Sequence, residues 1–144
     1  MDPDLLPQPQ RLALLYAPPG MRPAVGCLFE LDERLGRIVA TAREPMLAQM
    51  RMVWWRDRLG EARDMRPKGD PVLDAVGSYW PGEEAALIAL VDGWEELLGQ
   101  APLSENAFRQ FAEGKGAAFA AVARLAGQAS YAEAAHDAGC RFAL

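Results

Sequence analysis

The chain has 144 residues, 51% of them apolar and 24% charged, and a formal net charge of −5. A single domain of this length can build a buried core, and the apolar fraction excludes an intrinsically disordered chain. The acidic balance and the lack of a Lys/Arg cluster argue against a nucleic-acid partner, because neutralising phosphates needs a basic face. No uninterrupted apolar run is longer than Ala85 to Val91, far short of the ~20 residues that cross a bilayer. The opening MDPDLLPQPQ is acidic and proline-rich and does not read as a signal peptide. These features describe a soluble, cytoplasmic protein, in which Cys27 and Cys140 read as buried thiols in preference to a disulfide.

In chain order, residues 1–8 read as a loose arm and residues 9–17 as a short helix that stops before Pro18-Pro19-Gly20. A second helix starts near Arg22-Pro23, and Leu28, Leu31, Leu35, Ile38 and Ala42 recur along it at the spacing of one buried stripe. Glu30/Arg34 and Glu33/Arg37 read as acid-before-base pairs on its other side. Pro45 opens a third helix. Met46, Leu47, Met50, Met52, Val53, Trp54, Trp55 and Leu59 spread around much of its circumference, which predicts the most buried element of the fold.

Asp70-Pro71 is a capping carboxylate followed by proline, and the helix it starts ends before Pro81. Glu83 and Glu84 suit the positive end of a helix running to about Leu98. Ser104 caps a long helix whose many Ala and Gly residues permit close backbone approach. Ser130 with Glu133 reads as a capping box for the last helix. The expected fold is all-α, a bundle of six or seven helices forming one domain over residues 9–144.

The acidic residues offer four pairs at spacing four: Asp57/Glu61, Asp70/Asp74, Asp92/Glu96 and Glu133/Asp137. Chance alone gives roughly three such pairs from 20 acids in this length, so no pair stands out by count. His136, the one histidine, has only Glu133 and Asp137 as local neighbours and reads as solvated surface. The tryptophans Trp54, Trp55, Trp80 and Trp94 read first as core, with an aromatic cavity lining as the alternative.

The block CLFELDERLGRIVATAREPMLAQMRMVWWRDRL, from Cys27 to Leu59, carries adjacent tryptophans behind Glu44-Pro45 with Arg51, Arg56 and Asp57 around them. With LYAPPGMRPAV (Leu15 to Val25) and LIALVDGWEELLG (Leu87 to Gly99), it resembles the squalene/phytoene synthase family. The likeness is strongest to a side branch lacking the catalytic aspartates, whose mitochondrial members are implied in assembly of respiratory complex I. It covers the N-terminal half of that family.

The resemblance implies half of an isoprenoid synthase fold, and an activity joining two prenyl diphosphates through magnesium held by two aspartate clusters. Aligned on Trp54-Trp55, the first cluster falls on Gly36, Arg37 and Ala40, none of them acidic. The second belongs to the C-terminal half. The expectation is therefore a catalytically inactive helical protein serving as an assembly, interaction or lipid-binding module, with no cofactor. The alternative is a magnesium-dependent prenyl transferase completed by a second polypeptide.

Under that alternative, Asp92 and Glu96 are the candidate catalytic and metal-binding pair. Arg51, Trp54, Trp55 and Arg56 are the candidate substrate-binding residues. The expected partners are a second copy of the chain or another helical protein, with an isoprenoid lipid as a further candidate. Self-association is expected because half a bundle would leave the apolar faces of the helices at residues 22–42 and 105–127 open.

Overall fold

The computed structural model describes residues 17–99 and 101–143, and among these it contains six α-helices and no strand. The expected arm, and nearly all of the helix expected at residues 9–17, lie outside the described residues. Helix α1 (Arg22–Ala40) follows a 3-10 turn, with Pro23 in its first turn. Helices α2 (Pro45–Gly60) and α3 (Pro71–Tyr79) each open on a proline, whose missing N–H costs nothing there. Helix α4 (Glu84–Glu95) tightens into a 3-10 turn at Glu96–Leu98, and α5 (Glu105–Leu125) and α6 (Ala132–Ala143) complete the bundle. No helix among the described residues is long and apolar enough to cross a membrane.

Two of the expected caps are formed. Asp70 Oδ1 accepts from the N–H groups of Val72 and Leu73 at 2.9 and 3.2 Å, and Ser104 Oγ accepts from Ala107 N–H at 3.1 Å. The capping box at Ser130 and Glu133 is not. Ser130 lies inside a 3-10 turn, Ala129–Tyr131, and α6 starts only at Ala132. The i, i+4 pairing on α1 is also half right. Glu33 and Arg37 approach to 3.9 Å, but Arg34 turns away from Glu30 and donates to both oxygens of Asp70, at 2.9 and 3.2 Å.

Leu28, Leu31, Leu35 and Ile38 of α1 are buried as their spacing requires, while Ala42 lies beyond the helix and is exposed. They pack against Val72, Leu73 and Val76 of α3 and Leu87, Leu90 and Val91 of α4 in one continuous core. Trp80 is fully buried, with its indole N–H donating to Ala24 O at 2.9 Å. Helix α5 packs most extensively on α4 and α6, and the small residues explain how. A Cβ placed on Gly114 would stand 2.6 Å from Ala89 O, and one on Gly139 would stand 2.7 Å from Lys115 O. Only glycine lets these helices come so close.

Two expectations are corrected here. The tryptophan helix is not the most buried element. Only Ala48, Met52, Trp55 and Leu59 of α2 are buried, a single stripe facing the core. Met46, Leu47, Met50, Val53 and Trp54 are exposed, because α2 packs at the edge of the bundle and nothing among the described residues covers its other sides. The apolar faces of α1 and α5, expected to lie open, are largely covered from within by α3, α4 and α6. The densest group of exposed large apolar side chains among the described residues therefore lies on α2, with Met65, Tyr79, Phe108, Tyr131 and Phe142 exposed elsewhere.

Candidate functional site

Helices α1 and α2 are joined by the short segment at residues 41–44, and a groove runs between them beside that turn. One part, about 420 Å³, is lined by Arg34, Arg37, Ile38, Thr41, Arg51, Trp54 and Trp55. An adjoining part of about 710 Å³ shares Ile38, Thr41, Arg51 and Trp54 and adds Arg43, Leu47 and Met50. The groove is thus lined by apolar and aromatic side chains, mostly of α2, and by guanidinium groups from α1, α2 and the turn between them.

Local sequence explains the arrangement. The buried stripe of α2 holds Trp55 in the core at 6% exposure, and its neighbour Trp54 is forced outward to 39%. The two rings meet edge to face with centroids 5.1 Å apart. Arg34 lies over the Trp55 ring at 5.8 Å and is tied to Asp70. Arg37 is held only loosely by Glu33, at 3.9 Å, and Arg43 and Arg51 form no ion pair among the described residues. Among the described residues, four guanidiniums line the groove against one carboxylate, Glu44. Because guanidinium presents a planar fork of donors to paired oxygens, this surface suits a phosphate or diphosphate joined to an apolar chain.

Of the residues singled out from sequence, Arg51, Trp54 and Trp55 come together here. Arg56 does not join them. Its Nε donates to Asp92 Oδ1 at 2.7 Å and its Nη2 to Glu95 Oε2 at 2.8 Å, and the bonds it makes to Glu95 and then to Asp92 raise its pKa further. Asp92 and Glu96 line a different, shallow pocket of about 270 Å³ with Gly93, Gln110, Glu113 and Gly114.

These acids do not fit a diphosphate-bound magnesium ion as they stand. The Asp92 carboxylate is engaged by a guanidinium, and Asp92, Glu96 and Glu113 do not converge within the 4.8 Å that unites three metal-ligating groups elsewhere in the fold. The positions aligned with the first aspartate cluster offer no replacement. A Cβ at Gly36 would stand 3.0 Å from the Trp94 ring, and Arg37 places a cation at the groove.

Sequence reasoning missed Arg34, Arg37 and Arg43 as groove residues, because it assigned the first two to helix-surface ion pairs. It also missed the surroundings of His136, which is not simple solvated surface: its Nε2 lies 2.9 Å from Glu113 Oε2. Glu113 stands on α5, a partner that no local reading of α6 could supply.

The helices describe an all-α bundle with a groove of mixed apolar and cationic lining between α1 and α2. Residues 10–144 match the family model described as squalene/phytoene synthase, and the chain belongs to that family. No curated protein and no solved structure matches it.

Proposed function

We propose that this chain is a non-catalytic member of the squalene/phytoene synthase family that binds an isoprenoid bearing a phosphate or diphosphate head in the groove between α1 and α2. The observation that carries this reading is Arg51. It is a guanidinium with no ion pair among the described residues, and it lines the groove beside Trp54, Leu47 and Met50. The head group meets Arg51, Arg37 and Arg43, and the chain lies along the exposed apolar strip of α2. Covering apolar surface there contributes roughly 25 cal/mol per Å².

Support for the non-catalytic part of this reading comes from the shortage of carboxylates that could hold a divalent ion at the groove. Departure of a diphosphate develops negative charge that these enzymes stabilise with divalent ions on carboxylates. Among the described residues the only carboxylate lining the groove is Glu44, and Asp92 is tied to Arg56.

The test is a titration of intrinsic tryptophan fluorescence with farnesyl diphosphate, farnesol and inorganic diphosphate, in EDTA. The reading expects saturable binding of farnesyl diphosphate, weaker binding of the other two, and loss of affinity in Arg51→Glu. Equal binding by the Arg51→Glu variant, or no saturation by any of the three ligands, would overturn it.

A further inference from the structure

Away from the groove, where α5 packs on α6, three side chains with metal-ligating atoms converge. A carboxylate oxygen of Glu113, a ring nitrogen of His136 and Sγ of Cys140 all lie within 4.8 Å of one another. His136 and Cys140 are four residues apart on α6 and so share one face of that helix, with Sγ 3.7 Å from Nδ1. Glu113 reaches them from α5, and Asp137 Oδ1 lies 3.8 Å from the same Nδ1. None of these residues lines the α1–α2 groove.

The backbone beneath them is shaped for this convergence. A Cβ on Gly116 would stand 2.8 Å from Cys140 Sγ and 2.8 Å from both Cδ2 and Nε2 of His136. Any other residue at 116 would therefore displace two of the three groups at once. Gly139, packed 2.9 Å by the same measure from Gly116 Cα, brings α6 close enough for Glu113 to span the gap.

We propose that Glu113, His136 and Cys140 form a binding site for a thiophilic divalent cation of the zinc class. The donor set is one sulfur, one imidazole nitrogen and one carboxylate oxygen. That combination suits zinc or cobalt, whereas magnesium takes oxygen ligands. In a tetrahedral site with bonds of about 2.0–2.3 Å, neighbouring ligand atoms stand about 3.5 Å apart. The Sγ–Nδ1 separation already matches that spacing. The Glu113 side chain is 57% exposed, so it can leave His136 Nε2 and swing toward the metal without backbone movement. On binding, the thiol gives its proton to solvent and the sulfur coordinates as thiolate. Asp137 or water completes the shell. Three protein ligands from two helices make this an open site that also clamps α6 to α5.

The experiment titrates Co²⁺, then Zn²⁺, into the reduced, EDTA-treated full chain. The expected result is one Co²⁺ per chain, with a thiolate-to-cobalt charge-transfer band and the visible bands of a tetrahedral ion, both displaced by Zn²⁺. Cys140→Ser should abolish the charge-transfer band, and His136→Ala, Glu113→Gln and Gly116→Ala should weaken binding by about tenfold or more. Cys27→Ser should leave binding unchanged. Circular dichroism checks the fold of each variant, and the exposed Glu113→Gln keeps the test decisive if Gly116→Ala fails to fold. Absence of the charge-transfer band, or equal metal binding by Cys140→Ser and His136→Ala, would overturn the site and leave a plain His136–Glu113 hydrogen bond.

Discussion

Lys115 of α5 reaches Asp32 of α1 across the bundle, and both side chains are 8% exposed. The second Asp32 oxygen accepts from the Trp94 indole N–H at 2.8 Å. The Lys115 ammonium also lies 5.2 Å from the Trp94 ring and 5.5 Å from the rings of Phe111 and Phe142. One buried pair thus joins α1, α4, α5 and α6. Removing one partner leaves a buried charge without compensation, which typically costs about 3–5 kcal/mol. Lys115→Met should destabilise the protein by that amount in urea denaturation. The double variant with Asp32→Leu should recover much of the loss, and a Lys115→Met effect below about 1 kcal/mol would show that the pair is not held as described.

Adjacent tryptophans give a second test. Trp55 belongs to the core and Trp54 to the groove wall, so the same substitution should act differently at each. Trp55→Ala should lower stability by about 3–5 kcal/mol through lost burial and a cavity. Trp54→Ala should cost about 1 kcal/mol or less, yet weaken farnesyl diphosphate binding. Chemical denaturation and the fluorescence titration separate the two effects.

Much of the fold was legible because it depends on local rules. The prolines at 23, 45 and 71, the caps at Asp70 and Ser104, and the stripe from Leu28 to Ile38 each act within a few residues. The degree of burial of α2 was not legible. An apolar circumference shows that a helix prefers cover, but not whether neighbouring helices supply it. The groove was half legible. Arg51, Trp54 and Trp55 share one helix, whereas Arg34 and Arg37 join them only through the turn at residues 41–44. The Lys115–Asp32 and Glu113–His136 contacts connect different helices, and no periodicity within one helix encodes such pairs.

Acid should weaken one interhelical clasp. Arg124 near the end of α5 donates to both carboxylate oxygens of Glu83 at the start of α4, at 2.8–3.0 Å. Hydrogen bonding from Arg124 holds the Glu83 carboxyl below its ordinary value of 4.5. A depressed acid binds its proton more weakly in the folded state. Its contribution is therefore present above about pH 4.5 and is lost as pH falls through the lower folded value. The pair is partly exposed, so solvent screening keeps the effect below about 1 kcal/mol. Glu83→Gln should lower stability at neutral pH and make the loss below pH 4.5 shallower, as measured by urea midpoints across pH.

The Cys27 thiol has its pKa pushed up to about 12, first by burial and then by the Glu30 carboxylate. In the folded protein it should resist alkylation at neutral pH and react only on unfolding. A raised folded value means this contribution is intact below the ordinary 9.0 and is lost as pH rises from there toward 12. Mass spectrometry after iodoacetamide treatment, with and without urea, checks the protection.

The central claim is that the α1–α2 groove binds an isoprenoid diphosphate and does not cleave it. The most direct measurement follows diphosphate release from farnesyl diphosphate at saturating Mg²⁺, with bound ligand quantified in the same sample. The account predicts stoichiometric, Arg51-dependent binding and release no faster than a heat-treated control. Mg²⁺-dependent release above that control, abolished by Glu96→Ala, would contradict it and assign Asp92 and Glu96 a catalytic role.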